Sequence, residues 1–434
     1  MSTNKIYPGY EIFPVKTDTS CILKWSWSSI NIESKTTSSC HRNVNVPIDP
    51  DKFEDFHNHP IKIQDRERML AGEWPEDGRG CEYCKNVEDH GGTSDRQTWS
   101  ARSHVANKIP PELFSNPRAT QVTPTILEIY FNNTCNLSCV YCGPDISSKW
   151  NDEMEKFGKI EIQDFSKDKY KSDNTHYKKM VQSLWDYMIK DDRYKTIQHY
   201  QLLGGESLLQ KELDSSIDFW MQHPNPGLTF NLISNIMVPH KTFVDKINKF
   251  QMLVEKNAIY QLELTASLDC WGPQQEYVRH GLDLEVWQQN FEYLLDKPWI
   301  LVSVHSCVNS LTIKTMPDLL KKILAWNTKR PKDKPIEISF DLVIHKQNQK
   351  NGLHPTVFGP GVFDEDFERI LDLMPEDTEH QRSLREHMKG SANFIKNSVK
   401  DPQRIQVLKA YLNELDRRRN TNWQEVFPWL ANFQ

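Results

Sequence analysis

The sequence predicts an α/β fold: a six-unit (β/α)6 partial TIM barrel over residues 120–350, with a small N-terminal cysteine-rich α+β domain (1–115, a hairpin plus a helix) and a C-terminal helical extension (351–434). Three observations predict it. From Thr125 onward, short runs rich in β-branched and aromatic residues alternate with amphipathic helical stretches, the pattern of parallel β/α units. After about residue 350 the strand-like runs stop and only helical periodicity continues. Ahead of residue 115, four cysteines lie in a polar region with turn signals of its own.

In chain order, Cys21 opens a strand-like run over 22–31. It turns at 33–35 into a Ser/Thr-rich second strand that ends at Cys40. A segment rich in Pro, Asp and His leads to a short helix over 63–70 and then to Cys81-Glu-Tyr-Cys84. Pro110-Pro111 and the turn at 115–118 mark a linker. Strands are expected at 126–132, 197–203, 228–234, 261–268, 299–308 and 336–344, with helices at 208–221, 241–255, 284–295 and 316–326. Six units are too few for the eight-stranded barrel, so an open barrel competes with a doubly wound sheet. In either, reactive groups belong at the C-terminal ends of the strands. A polar insertion over about 152–179 is expected to be partly disordered. Helices at 364–374, 377–395 and 402–418 form the extension.

Composition narrows the function. A chain of 434 residues with 13 Trp, 14 Tyr and 19 Phe can bury a sizeable core. A net charge of −6 gives no electrostatic case for a nucleic-acid or membrane partner. The first residues lack the apolar centre of a signal peptide, and no window reaches the ~18 apolar residues of a membrane span. The expectation is a soluble cytoplasmic protein whose nine cysteines are metal ligands or core residues rather than disulfides.

Most of the chemistry is concentrated in Cys135-Asn-Leu-Ser-Cys139-Val-Tyr-Cys142, directly after the first strand. Cubane iron–sulfur clusters normally take four thiolates. Three in one loop, with no fourth nearby, leave one iron open to another ligand. Zinc is the competing occupant and would need Asp145 or a distant residue as its fourth ligand. Tyr141 supplies an apolar wall. Gly204-Gly205-Glu206 closes the second strand, where glycines allow close backbone approach and a carboxylate can accept from an ammonium. Ser234-Asn235, Ser267 and Asp269 are polar groups at the next two strand ends. Asn309 and Val343 are weaker candidates at the last two. Cys21, Cys40, Cys81 and Cys84 form a second, four-ligand set for which spacing alone leaves zinc and iron–sulfur level. Cys307 reads as a buried apolar residue, and Cys270 as a packed one rather than a hydrogen donor.

The motif C-x3-C-x-aromatic-C at the end of a first strand resembles that of the radical S-adenosylmethionine (SAM) superfamily. The resemblance implies that Cys135, Cys139 and Cys142 bind a [4Fe–4S] cluster. SAM would chelate the fourth iron, and reductive cleavage would give a 5′-deoxyadenosyl radical that abstracts hydrogen from substrate. Gly204-Gly205-Glu206 resembles the family's GGE motif, which holds the SAM amino group, although Ser207 stands where Pro is common. Ser234, Asn235, Ser267 and Asp269 match positions used for the SAM carboxylate and ribose, and Asn309 and Val343 would touch ribose or adenine. Cys21-x3-Trp25, Cys40 and Gly80-Cys81-x2-Cys84, with Glu88, Gly91-Gly92, Ser94 and Arg96, resemble a twitch-type auxiliary-cluster module, here ahead of the barrel. The tail from Asp416 to Pro428 fits the same subgroup. The implied partners are a flavodoxin- or ferredoxin-like electron donor and a peptide or small-molecule substrate. The rival reading is a non-catalytic zinc- or iron–sulfur-binding interaction protein.

Overall fold

The structure, a computed structural model, describes residues 12–91, 93–101, 105, 107–160, 174–343 and 351–433. Much of the expected disordered insertion, Gly92 and the last residue of the sixth expected strand lie outside these. The expected strands form as β4 (Ile126–Tyr130), β5 (His199–Leu203), β6 (Thr229–Ser234), β7 (Gln261–Ser267), β8 (Ile300–Val308) and β9 (Glu337–Leu342), each parallel to the next. The N-terminal region adds β1 (Trp27–Asn31), β2 (Thr36–Ser38) and β3 (Val46–Pro47), giving one nine-stranded sheet in the order β3-β2-β1-β4-β5-β6-β7-β8-β9.

Two features of the N-terminal region differ from expectation. The run over 22–31 is not one strand: Ile22–Ser26 is a single helical turn, and β1 begins at Trp27. Ile22, Leu23 and Trp25 are all buried, so the turn is packed on every side and carries no alternation to distinguish it from a strand. The β1–β2 hairpin is antiparallel as expected, but β1 also pairs in parallel with β4, Trp27 opposite Ile126 through Asn31 opposite Tyr130. The cysteine-bearing region therefore shares its sheet with the strands that follow.

Period-two alternation gives the sheet two unlike faces. Leu127, Ile129, Leu202, Phe230, Leu232, Leu262 and Leu264 join one apolar cluster with Ile217, Trp220, Phe243, Phe250, Trp287 and Phe291 of the covering helices. The other face carries Glu128, Gln201, Asn231, Glu263, Thr265, Ser303 and His305, and is hereafter the inner face. Arg42, beyond β2, lies within electrostatic reach of Asp341 on β9. A second apolar cluster joins Val140 and Trp150 of the cysteine loop to Leu408, Tyr411, Leu412 and Leu415 of the helix Pro402–Arg419. No helix among the described residues is long and apolar enough to cross a membrane.

Candidate functional site

Parallel strands deliver their following loops to one edge of the sheet. The cysteine loop follows β4, Gly204 follows β5, Ser234 ends β6, Ser267 ends β7, Asn309 follows β8 and Val343 follows β9. All the candidate residues outside the N-terminal set therefore gather along the C-terminal ends of six consecutive strands.

The first half of the site is organised by Glu206, which is fully buried. Its Oε1 accepts from Ser234 Oγ (2.5 Å) and the Leu208 N–H (2.9 Å), and its Oε2 from the Asn235 N–H (2.6 Å). Burial pushes the carboxyl up despite these donors. Asn235 turns its amide toward the cysteine loop, donating to Asn136 Oδ1 (3.0 Å) and lying 3.9 Å from Cys135 Sγ. Gly205 has φ +45°, and a Cβ there would stand 2.2 Å from the Thr134 carbonyl oxygen; that same oxygen accepts from the Glu206 N–H at 2.7 Å. A Cβ on Gly204, at φ +98°, would strike the Tyr130 ring. The two glycines thus let the end of β5 lie directly on the backbone that leads into Cys135.

The second half is organised by Asp269, also fully buried. Arg279 donates to both its oxygens (2.9 and 2.8 Å), Tyr141 donates to Oδ2 (2.7 Å), and the Cys307 N–H to Oδ1 (2.8 Å). Burial alone would lower Arg279, but Asp269, Tyr141 and Cys139 together hold its guanidinium well above the ordinary range. Cys142 donates to Cys139, which draws the Cys139 thiol down and pushes Cys142 up, and Arg279 also favours the Cys139 thiolate. Burial pushes Cys135 up to about 12. Thiols in such surroundings ionise when a cation arrives.

Neighbouring segments hold the loop in place. The Ser138 N–H donates to the His280 carbonyl and the Val140 N–H to that of Val278. Trp150 Nε1 donates to the Cys139 carbonyl (2.9 Å), and Tyr411 Oη, far along the chain, to the Val140 carbonyl (2.7 Å). Sequence reasoning missed Asn136, Trp150, Arg279 and Tyr411. Only Asn136, inside the motif, carried a local signal. Asn309 spends its amide on its own turn, accepting from the Leu311 N–H and donating to the Cys307 carbonyl, while Val343 packs buried beside it through the Val308 carbonyl. Cys270 is fully buried, whereas Cys307 is half-buried on the inner face rather than enclosed.

Cys21, Cys40, Cys81 and Cys84 line one recess. Burial, with Cys40 adding to it, pushes Cys21 up to about 12, and burial pushes Cys40 to about 11. Asn43 donates to Cys81 Sγ (3.6 Å) and accepts from Cys40 Sγ (3.4 Å). Ser39, buried in the same recess, has a hydroxyl with no partner among the described residues. Two buried cations stand beside the thiols: Lys24, paired with Asp65 at 2.6 Å, and Arg96, paired with Glu88 at 2.5 Å. Arg96 also donates to the Ser20 and Asp18 carbonyls, and Ser94 to Glu88. Among the described residues no three His, Cys, Asp or Glu side chains already form a cage for a metal ion.

No protein-family profile and no curated protein matches the chain. Among solved structures the chain is similar to one described as "Structure of TYW1 with a lysine-pyruvate adduct bound". Identity is 17%, over 57% of this chain and 74% of that one, with a TM-score of 0.29, and a likeness at that level carries no argument.

Proposed function

We propose that the chain is a radical SAM enzyme, with a six-unit partial barrel (120–350), an auxiliary-cluster domain (1–115) and a helical extension (351–434). Cys135, Cys139 and Cys142 would hold a [4Fe–4S] cluster that leaves one iron for SAM. The observation that carries the reading is the Glu206–Ser234–Asn235 network. It ties two neighbouring strand ends to each other and to Cys135. The donor set suits the group: backbone and amide N–H groups face Cys135 Sγ, and a guanidinium lies near Cys139. When bound, the cluster would supply one electron for cleavage of the sulfonium C–S bond of SAM, chemistry that would allow hydrogen to be taken from a peptide or small metabolite.

The chain's own residues bind and orient. A carboxylate offers about four acceptor positions. Three on Glu206 are taken, and the one left on Oε2 suits the amino group of SAM. Asp269 has all four taken, so its part is to fix Arg279 and Tyr141 rather than to contact SAM. Ser267, half-buried at the end of β7, keeps the role of a SAM contact, with Asn309 and Val343 as weaker ones. In the recess, Ser39, Asn43, Lys24 and Arg96 offer hydrogen bonds and positive charge to four thiolates. That suits an auxiliary [4Fe–4S] or [2Fe–2S] cluster closed to substrate and able to take an electron. A cytoplasmic flavodoxin- or ferredoxin-like protein would supply the first electron.

Anaerobic reconstitution tests the proposal. It should give about eight irons per chain if both clusters are cubanes, with 5′-deoxyadenosine formed from SAM. Cys139→Ala should abolish that product. Colourless protein carrying stoichiometric zinc, or cleavage that survives Cys139→Ala, overturns it.

A further inference from the structure

One level of the inner face is unlike the interior of a packed barrel, which branched apolar side chains usually fill. Register places Glu128, Gln201, Asn231 and Glu263 side by side across β4, β5, β6 and β7. Glu128 accepts from Gln201 Nε2 (2.8 Å), and Glu263 from Asn231 Nδ2 (3.0 Å). Both carboxylates are thus held by neutral amides, Glu128 also by the Ser29 hydroxyl on β1. His41 and Lys108 are the basic groups whose charge reaches them, and neither makes an ion pair with them among the described residues. Both carboxylates are half-buried, and burial pushes both up, so their charged forms would gain from a paired cation. Asn231, 9% exposed and between the two in register, supplies an independent sign: its Oδ1 has no hydrogen-bond partner among the described residues. Beyond the bonds that Gln201, Asn231 and Ser29 make, the row still offers acceptors on Glu128, Asn231 and Glu263 and holds no paired cation among the described residues. One level nearer the cysteine loop, the same face carries Leu203 and Ile233, half-buried and apolar.

We infer that the inner face binds an alkyl cation, a primary amine or guanidine, with its charged head among Glu128, Asn231 and Glu263 and its aliphatic stem against Leu203 and Ile233. The inference rests on the reading of this face as the substrate side of a radical SAM enzyme, and it adds the substrate's chemical class. The ligand's stem, not its head, would then face the cysteine loop. The row also lies between that loop, past the end of β4, and the four-thiol recess, before the start of β1.

Calorimetric titration of the reconstituted full chain tests it with three probes: Nα-acetyl-lysine amide, agmatine, and the neutral isostere Nα-acetyl-norleucine amide. At least one cation should bind tenfold or more tightly than the neutral isostere. Glu263→Gln and Glu128→Gln, which keep side-chain size, should each weaken it about tenfold while iron content stays full. Preference for the capped lysine supports a peptide substrate, and preference for agmatine a free metabolite. Equal binding of the norleucine probe, no binding of either cation, or Gln variants that bind as wild type overturns the inference. Iron content and 5′-deoxyadenosine formed without probe are measured separately, so failure of the amine site and failure of the enzyme reading are distinguishable.

Discussion

The two cysteine sites are built by opposite strategies. The triplet comes from one loop of eight residues, and its surroundings are supplied by strand ends that converge on it. The quartet is gathered from three separate segments, at Cys21, Cys40 and Cys81/Cys84, and is held by buried ion pairs. A short loop can present three sulfurs in one direction and leave the far side open. A site assembled from distant segments encloses its contents and depends on the fold around it. The difference teaches that openness belongs to the loop and enclosure to the scaffold, and each can be broken separately.

The largest effect should come from Lys24→Met. It leaves Asp65 buried without its cation, a loss of about 3–5 kcal/mol, so denaturant unfolding should show a strongly lowered midpoint. If the proposed auxiliary cluster is present, its optical signal should vanish with it. If stability holds and only the cluster is lost, the ion pair serves the metal rather than the fold. Next comes Gly205→Ala, which forces a Cβ into the Thr134 carbonyl at a positive φ. A destabilisation of about 2–4 kcal/mol is expected from strain of this kind, with loss of the triplet's iron and retention of the quartet's. Loss of both together would show that the two sites are not independent.

Arg279→Lys keeps the charge but removes the two-pronged contact with Asp269. On the proposed reading, SAM cleavage should fall roughly tenfold, in the range for groups that orient metal ligands. The electron paramagnetic resonance spectrum of the triplet's cluster should shift while that of the auxiliary cluster stays fixed. The smallest effect is that of acid. His57, beside Arg66 and Lys62 under the hairpin, is held well below its usual range by burial and by those two cations. A base whose folded pKa is depressed contributes fully above its unfolded pKa, near 6.5, and its contribution falls as pH drops below that. The slope is up to about 1.4 kcal/mol per pH unit. Urea midpoints at pH 7.5 and 5.5 should differ accordingly, and His57→Gln should flatten the difference.

Much of this was legible in the sequence where the signal was local. Alternation and turn residues located the six parallel strands, and C-x3-C-x2-C and Gly-Gly-Glu marked two loops without knowledge of any distant residue. What escaped depended on register or on distant partners. The parallel pairing of β1 with β4 joins segments separated by nearly a hundred residues, and nothing in either states its partner. In sequence Glu128 and Glu263 are each the polar member of an alternating strand; only strand alignment places them in one row with Asn231. Arg279 was a charged residue in a loop until its contact with Asp269 gave it a role.

Tyr411 lies 271 residues after the Val140 carbonyl it binds. At ordinary rates of synthesis, 5–20 residues per second, the ribosome needs roughly 15–50 s to cover that distance. For that interval the nascent cysteine loop exists without the helix that seats it. Metal delivered during synthesis would meet three unsecured thiols, whereas delivery after release meets a finished receptacle. On the proposed reading, the order of manufacture thus sets a timetable for whatever machinery would load the iron.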